Sequence, residues 1–100
     1  MIPKLVDAYD GINVKLDKSG GILEACRWIQ VARAMNMKIM LGCMVSGSCS
    51  VTAAAQLSPL VDYADLDGNL LVANDPWRGV RVEKGKLLLP SGPGLGLTPA

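Results

Sequence analysis

One hundred residues limit the chain to one small domain, and ten basic against nine acidic residues leave a formal charge of only +1. That balance gives no electrostatic reason to expect nucleic acid or an anionic membrane as partner, and no apolar run approaches the roughly 20 residues of a membrane span. Half of the residues are hydrophobic, but only four are aromatic and none is Phe, so aliphatic and small side chains must build the core.

The opening stretch MIPKLVDAYDG lacks the basic-then-apolar layout of an export signal, so a cytoplasmic location with reduced thiols is expected. Cys26, Cys43 and Cys49 are odd in number, lack zinc-site spacing and have no His to join them. Residues 4–10, KLVDAYD, read as the end of a helix running into a turn at Gly11. INVKL follows as a short strand, with Ile12, Val14 and Leu16 on one face and Asn13 and Lys15 on the other. KSGG reads as the loop behind it.

From Gly21 to about Met35 the apolar residues Ile22, Ala25, Cys26, Ile29 and Ala32 recur at helical spacing, and Asn36 closes the helix. KIMLGCM, residues 38–44, is apolar enough for a strand covered on both faces. VSGSCS is a loop with cap-type serines, and SVTAAAQLSPL is a second helix that Pro59 ends. DYADLDG, 62–68, predicts a third strand. Strand, helix, strand, helix, strand with short links is the grammar of a parallel sheet. GVRVEKGKLLLP then predicts a hairpin about Lys84-Gly85, and SGPGLGLTPA a tail that is either ordered against something or loose.

A complete eight-stranded barrel takes about 250 residues, and three parallel strands leave both edges open and one face poorly covered. The expected fold is therefore a piece of something larger. In such folds chemistry sits at the carboxyl ends of strands. Lys15 is one candidate: buried and unpaired, its ammonium would cost several kcal/mol, so it should be paired, neutral or working. Gly20 and Gly21 behind it would allow close backbone approach, with the helix N-terminus favouring an anion. The plain alternative is a strand-end lysine reaching water. GCMVSGS, 42–48, is either a carboxylate-binding turn or simply a small-residue loop opening a helix. Asp65 and Asp67, two apart on a strand with Tyr63, share a face and would repel unless a cation lies between them. Otherwise they mark an Asp-Gly turn.

INVKLDKSGG, then MLGCM, then ADLDG at these separations resemble the enolase superfamily, and within its muconate-lactonizing subgroup the dipeptide epimerases typified by L-Ala-D/L-Glu epimerases. The closing PSGPGLGL is similar to the family's C-terminal signature. The resemblance implies an α/β fold: the last three strands and two helices of a modified (β/α)7β barrel, with residues 1–68 supplying the sixth to eighth strands. Residues 69–100 would form a hairpin and tail packing toward a capping domain outside this chain.

It further implies a 1,1-proton transfer alpha to a carboxylate, shared by two lysines and assisted by Mg, with the metal ligands and the second lysine lying outside this chain. Lys15 would be the acid/base. Asp65 and Asp67 would hold a dipeptide's ammonium, Cys43 and Met44 would line the substrate site, and Lys18, Gly20 and Gly21 would support it. Many relatives carry Glu-Ser after the Cys-Met where this chain has Val45-Ser46, which bears on side-chain specificity. The expected partners are the dipeptide, the remaining barrel and the capping domain, and a homo-oligomer of the complete protein is compatible with the resemblance. Alone, the chain is expected to be inactive. The competing readings are a cycloisomerase or o-succinylbenzoate synthase-like enzyme, which needs no ammonium clamp, and a non-catalytic module whose open edges pair with a partner chain.

Overall fold

The computed structural model describes residues 1–100. Its frame is a parallel sheet of β1 (Gly11–Lys15), β2 (Lys38–Gly42) and β3 (Tyr63–Asp65), with β2 in the centre. The register sets Val14 beside Leu41 and Leu41 beside Ala64. After β1 a one-turn helix, α1 (Leu16–Ser19), leads into α2 (Ile22–Ala34), which returns the chain to β2. The shorter α3 (Ser48–Ala55) connects β2 to β3.

The sheet has two unlike faces. Val14, Ile39 and Leu41 are fully buried and meet the stripe Ala25, Ile29 and Ala32 of α2. Those three recur at i, i+4 and i+7, one face of a helix. Burying each Val, Leu or Ile stabilises the fold by about 1.5–3 kcal/mol. On the other face stand Asn13, Lys15, Met40, Gly42, Tyr63 and Asp65. No helix covers them, and Asn13, Tyr63 and Asp65 are exposed. The open edge of β1 borders an apolar cavity of about 600 Å³, lined by Ile2, Leu5, Ile12, Trp28 and Val31 among others.

Asp62 ties the amino ends of the strands to α2. Its carboxylate accepts the Ile39 N–H at 2.9 Å and the Arg33 guanidinium at 3.1 and 3.3 Å, while Arg33 also donates to the Leu60 carbonyl at 3.1 Å. The Ile39 N–H first, and then Arg33, hold the Asp62 carboxyl below the usual carboxylate range.

The C-terminal third wraps α3. Asp75 accepts the Ser48 N–H at 2.7 Å and the Trp77 N–H at 3.1 Å, capping α3 from 27 residues away. Hydrogen bonding from Ser48 above all, and then from Trp77, holds its carboxyl low. The Thr52 hydroxyl, fully buried, accepts the Val80 N–H at 3.0 Å. β4 (Trp77–Arg78) pairs with β7 (Thr98–Pro99), and β5 (Arg81–Glu83) pairs with β6 (Lys86–Leu88). Lys84 and Gly85, at φ 51° and 77°, make the two-residue hairpin turn that positive φ permits.

Several local expectations change. KLVDAYD is not a helix end: a 3-10 turn at Ile2–Lys4, started by Pro3, precedes bends. KSGG is not all loop, because the chain turns helical at Leu16 immediately after Lys15. Ile22 is 40% exposed, outside the buried stripe. The serines do not cap α3 with their side chains: Gly47 holds the cap position and Asp75 supplies the acceptor. Helix α3 ends at Ala55, and Pro59 sits in a separate 3-10 turn. β2 is covered by helices on one face rather than two, and the third strand spans Tyr63–Asp65 instead of all of 62–68. The tail is ordered through β7 and an Ala100 N–H to Pro76 carbonyl bond of 3.0 Å. No helix is long and apolar enough to cross a membrane.

Candidate active site at the carboxyl ends of the strands

Lys15 ends β1, Gly42 ends β2 and Asp65 ends β3, and the register places the three side by side. This row lies on the face without helices, at the end of a parallel sheet where side chains and loops are free to meet a ligand. The middle position is empty of side chain. A Cβ on Gly42 would lie 2.7 Å from Asn13 Oδ1 and 3.2 Å from Lys15 Cε, so both of those side chains lean over the central strand.

The loops above the row close around the same point. Lys15 Nζ donates to Met44 Sδ at 3.9 Å. Gly68, after β3, packs so tightly on the Met44 carbonyl that any Cβ would overlap it, and such a Cβ would stand 3.1 Å from Cys43 Sγ. The structure therefore brings together Lys15, Cys43, Met44 and Asp65. Cys43 is half-buried and Met44 is 42% exposed beside the lysine.

Asp67 arrives by another route. β3 stops at Asp65, Leu66 turns into the core at 6% exposure, and Asp67 takes φ −106° and ψ 2° to open a 3-10 turn. Strand pairing therefore fixes the face of Asp65, while Asp67 stands past the paired strand at the start of the turn. Lys18 stands exposed in the last turn of α1. Gly20 (φ 103°) and Gly21 (φ 113°) make the passage from α1 to α2. Their reason is conformation rather than crowding: nothing lies within 4 Å of a Cβ on Gly21, and only Glu24 approaches one on Gly20, at 3.5 Å.

Three further residues belong to this end of the sheet. Alternation sets Asn13 on the Lys15 face, but its place beside Gly42 needs the inter-strand register. Gly42 carried a usable signal, since a strand glycine marks a close approach. Asp17, two residues past Lys15, accepts the Ser46 and Ser50 hydroxyls at 3.3 and 3.4 Å. No three His, Cys, Asp or Glu side chains converge to hold a metal within this chain, so the residues present do not form a magnesium site.

A one-faced parallel sheet with a lysine and a carboxylate at the ends of its two outer strands, on either side of Gly42, has the form of a segment of a (β/α) barrel. Residues 5–100 match the enolase C-terminal domain-like family. The chain belongs to that family, within the enolase superfamily, and forms the C-terminal part of its modified (β/α)7β barrel. It is 48% identical over 96 residues to an L-Ala-D/L-Glu epimerase of Bacteroides thetaiotaomicron, covering 96% of this chain and 25% of that one. It is 52% identical over 87 residues to an L-Ala-D/L-amino acid epimerase of Pedosphaera parvula, covering 87% and 25%. Among solved structures, the dipeptide epimerase of Methylococcus capsulatus complexed with Mg ion superposes at a TM-score of 0.84 with 35% identity, over 91% of this chain and 28% of that one. The chain thus spans about a quarter of the length of the curated relatives it matches.

Proposed function

We propose that this chain is the C-terminal segment of a dipeptide epimerase that moves a proton at the carbon alpha to a carboxylate, on substrates of the L-Ala-D/L-Glu type. The row Lys15, Gly42, Asp65 at the strand ends carries this reading. Lys15 takes or returns the alpha proton on one face of the substrate. Its Nζ, reached only by the soft Met44 sulfur, has no carboxylate partner to compete with that role. Asp65, one strand beyond the side-chain-free Gly42, receives the substrate's ammonium, with Asp67 approaching from the turn above it. Cys43 and Met44 line the side-chain pocket, and Lys18, Gly20 and Gly21 support the loop behind Lys15. Residues 69–100 face the capping domain while bracing α3.

Magnesium, present in the Methylococcus capsulatus relative, would be held by residues outside this chain and would supply charge stabilisation to the substrate carboxylate. With one proton-transfer residue and no metal ligands, the 100-residue chain alone is expected to show no epimerisation.

The test is a chimera in which this chain replaces the matching C-terminal quarter of the Bacteroides thetaiotaomicron epimerase. Epimerisation of L-Ala-L-Glu in that chimera, lost in Lys15→Ala, supports the reading. Activity that survives Lys15→Ala overturns it. Asp67→Asn and Asp65→Asn should each raise KM for the dipeptide, and unchanged dipeptide activity in both sinks the ammonium clamp.

A further inference from the structure

Were β1 to continue two more residues, Asp17 would share the face of Lys15. Instead the backbone turns helical at Leu16, and the Asp17 carboxylate swings toward the segment after β2. There Oδ2 accepts the Ser46 hydroxyl at 3.3 Å and Oδ1 accepts the Ser50 hydroxyl at 3.4 Å. One hydroxyl belongs to the loop 43–47 and the other to the first turn of α3, so a single carboxylate bridges the loop to the helix it enters. The loop is also held by Gly68, packed on the Met44 carbonyl. Between these two holds lie Met44, whose sulfur meets Lys15 Nζ, and Val45, 66% exposed.

We propose that Asp17 is a positioning residue that sets side-chain selectivity by fixing the loop 43–47 beside Lys15. The proposal rests on the epimerase reading above. Asp17 touches neither the reacting carbon nor Lys15 Nζ. It acts through Ser46 and Ser50, which place Met44 and Val45 where the substrate's side chain must pass. Its loss should therefore weaken ground-state and transition-state binding alike, appearing in KM rather than in kcat.

The chimera carrying Asp17→Ala, Asp17→Asn and the Ser46→Ala/Ser50→Ala pair tests this, with L-Ala-L-Glu and L-Ala-L-Leu as probes. Asp17→Ala should raise KM for L-Ala-L-Glu roughly three- to tenfold, with kcat held within about twofold, and should change the preference between the two dipeptides. The serine pair should reproduce that change, and adding Asp17→Ala to it should bring nothing further, as expected for partners in one contact. Asp17→Asn, which keeps an amide able to bond both hydroxyls, should recover most of the loss. An unchanged KM, a fall in kcat alone, or an Asn variant as poor as Ala would each overturn the proposal. Lys15→Ala serves as the separate control: if it keeps epimerising L-Ala-L-Glu, the epimerase reading fails and the selectivity role falls with it.

Discussion

Gly42→Ala separates the integrity of the fold from the placement of Lys15. The added Cβ would stand 3.2 Å from Lys15 Cε and 2.7 Å from Asn13 Oδ1. Carbon pairs rest at about 3.5–4.0 Å, so the lysine stem must retreat by roughly half an ångström. Both atoms are the far ends of flexible side chains on an uncovered face, so the backbone need not move. Replacing Gly by Ala where the backbone tolerates it contributes about 0.4–1 kcal/mol through the unfolded chain, which offsets the local crowding. Stability should therefore stay within about 1 kcal/mol of the parent. Catalysis should not be spared, because a misplacement of about 1 Å costs on the order of 10²-fold and half of that about tenfold, near 1.4 kcal/mol of barrier. Urea unfolding of the chain reads the first quantity, and kcat/KM of the chimera on L-Ala-L-Glu reads the second. Unchanged kcat/KM would show that the Gly42 hollow does not position the lysine. A stability loss beyond about 3 kcal/mol would show that Asn13 and Lys15 are rigidly held.

Other outcomes follow from the packing of the C-terminal third and from its carboxylates. Thr52→Val keeps the shape but leaves the Val80 N–H, bonded at 3.0 Å and buried, without an acceptor, and should cost about 1–3 kcal/mol in denaturant unfolding. A change below about 0.5 kcal/mol would refute that accounting. Gly79→Ala, whose methyl would overlap the Thr52 hydroxyl and stand 2.8 Å from Leu97 Cδ2, should destabilise at least as much by the same measurement. Asp62 and Asp75 both have folded-state carboxyls held below 3.8, so their contribution is present above that pH and is lost as pH falls below it toward the folded values. Urea midpoints measured from pH 6 to pH 3 should drop on the acid side, and Asp75→Asn should flatten part of that drop while lowering stability at neutral pH. A variant with an undiminished acid slope would show that Asp75 does not contribute to it.

Much of the frame was readable from pattern because it depends on local periodicity. The stripe of Ala25, Ile29 and Ala32 and the apolar run around Ile39 and Leu41 each encode one buried face, and the Lys84-Gly85 turn encodes its own reversal. Lys15 and Asp65 were legible as strand-end groups for the same reason. What stayed hidden depends on residues far apart in the chain. Asp75 caps a helix 27 positions earlier, so no spacing near Ser48 announces it, and the serines there drew the assignment instead. Asp67 lies beyond what pairing can fix, because the paired strand stops at Asp65 and Asp67 opens the next turn. Asp17 meets its partners, Ser46 and Ser50, only across 29 and 33 residues of chain, a distance that local spacing does not encode.

The long-range cap on α3 bears on the order in which the chain acquires structure. An isolated helix of eight residues is too short to persist in water, since stable isolated helices need about 12–15 residues. Its N-terminal acceptor is Asp75 and the donor to its buried hydroxyl is the Val80 N–H, so both partners emerge from synthesis some 27 residues later. At synthesis rates of about 5–20 residues per second, α3 waits seconds for them. Helix α2, by contrast, has its own 13 residues and an adjoining strand pair to settle against. Folding should therefore begin with β1, α2 and β2, and the loop carrying Met44 should be shaped last, only after residue 80 has left the ribosome.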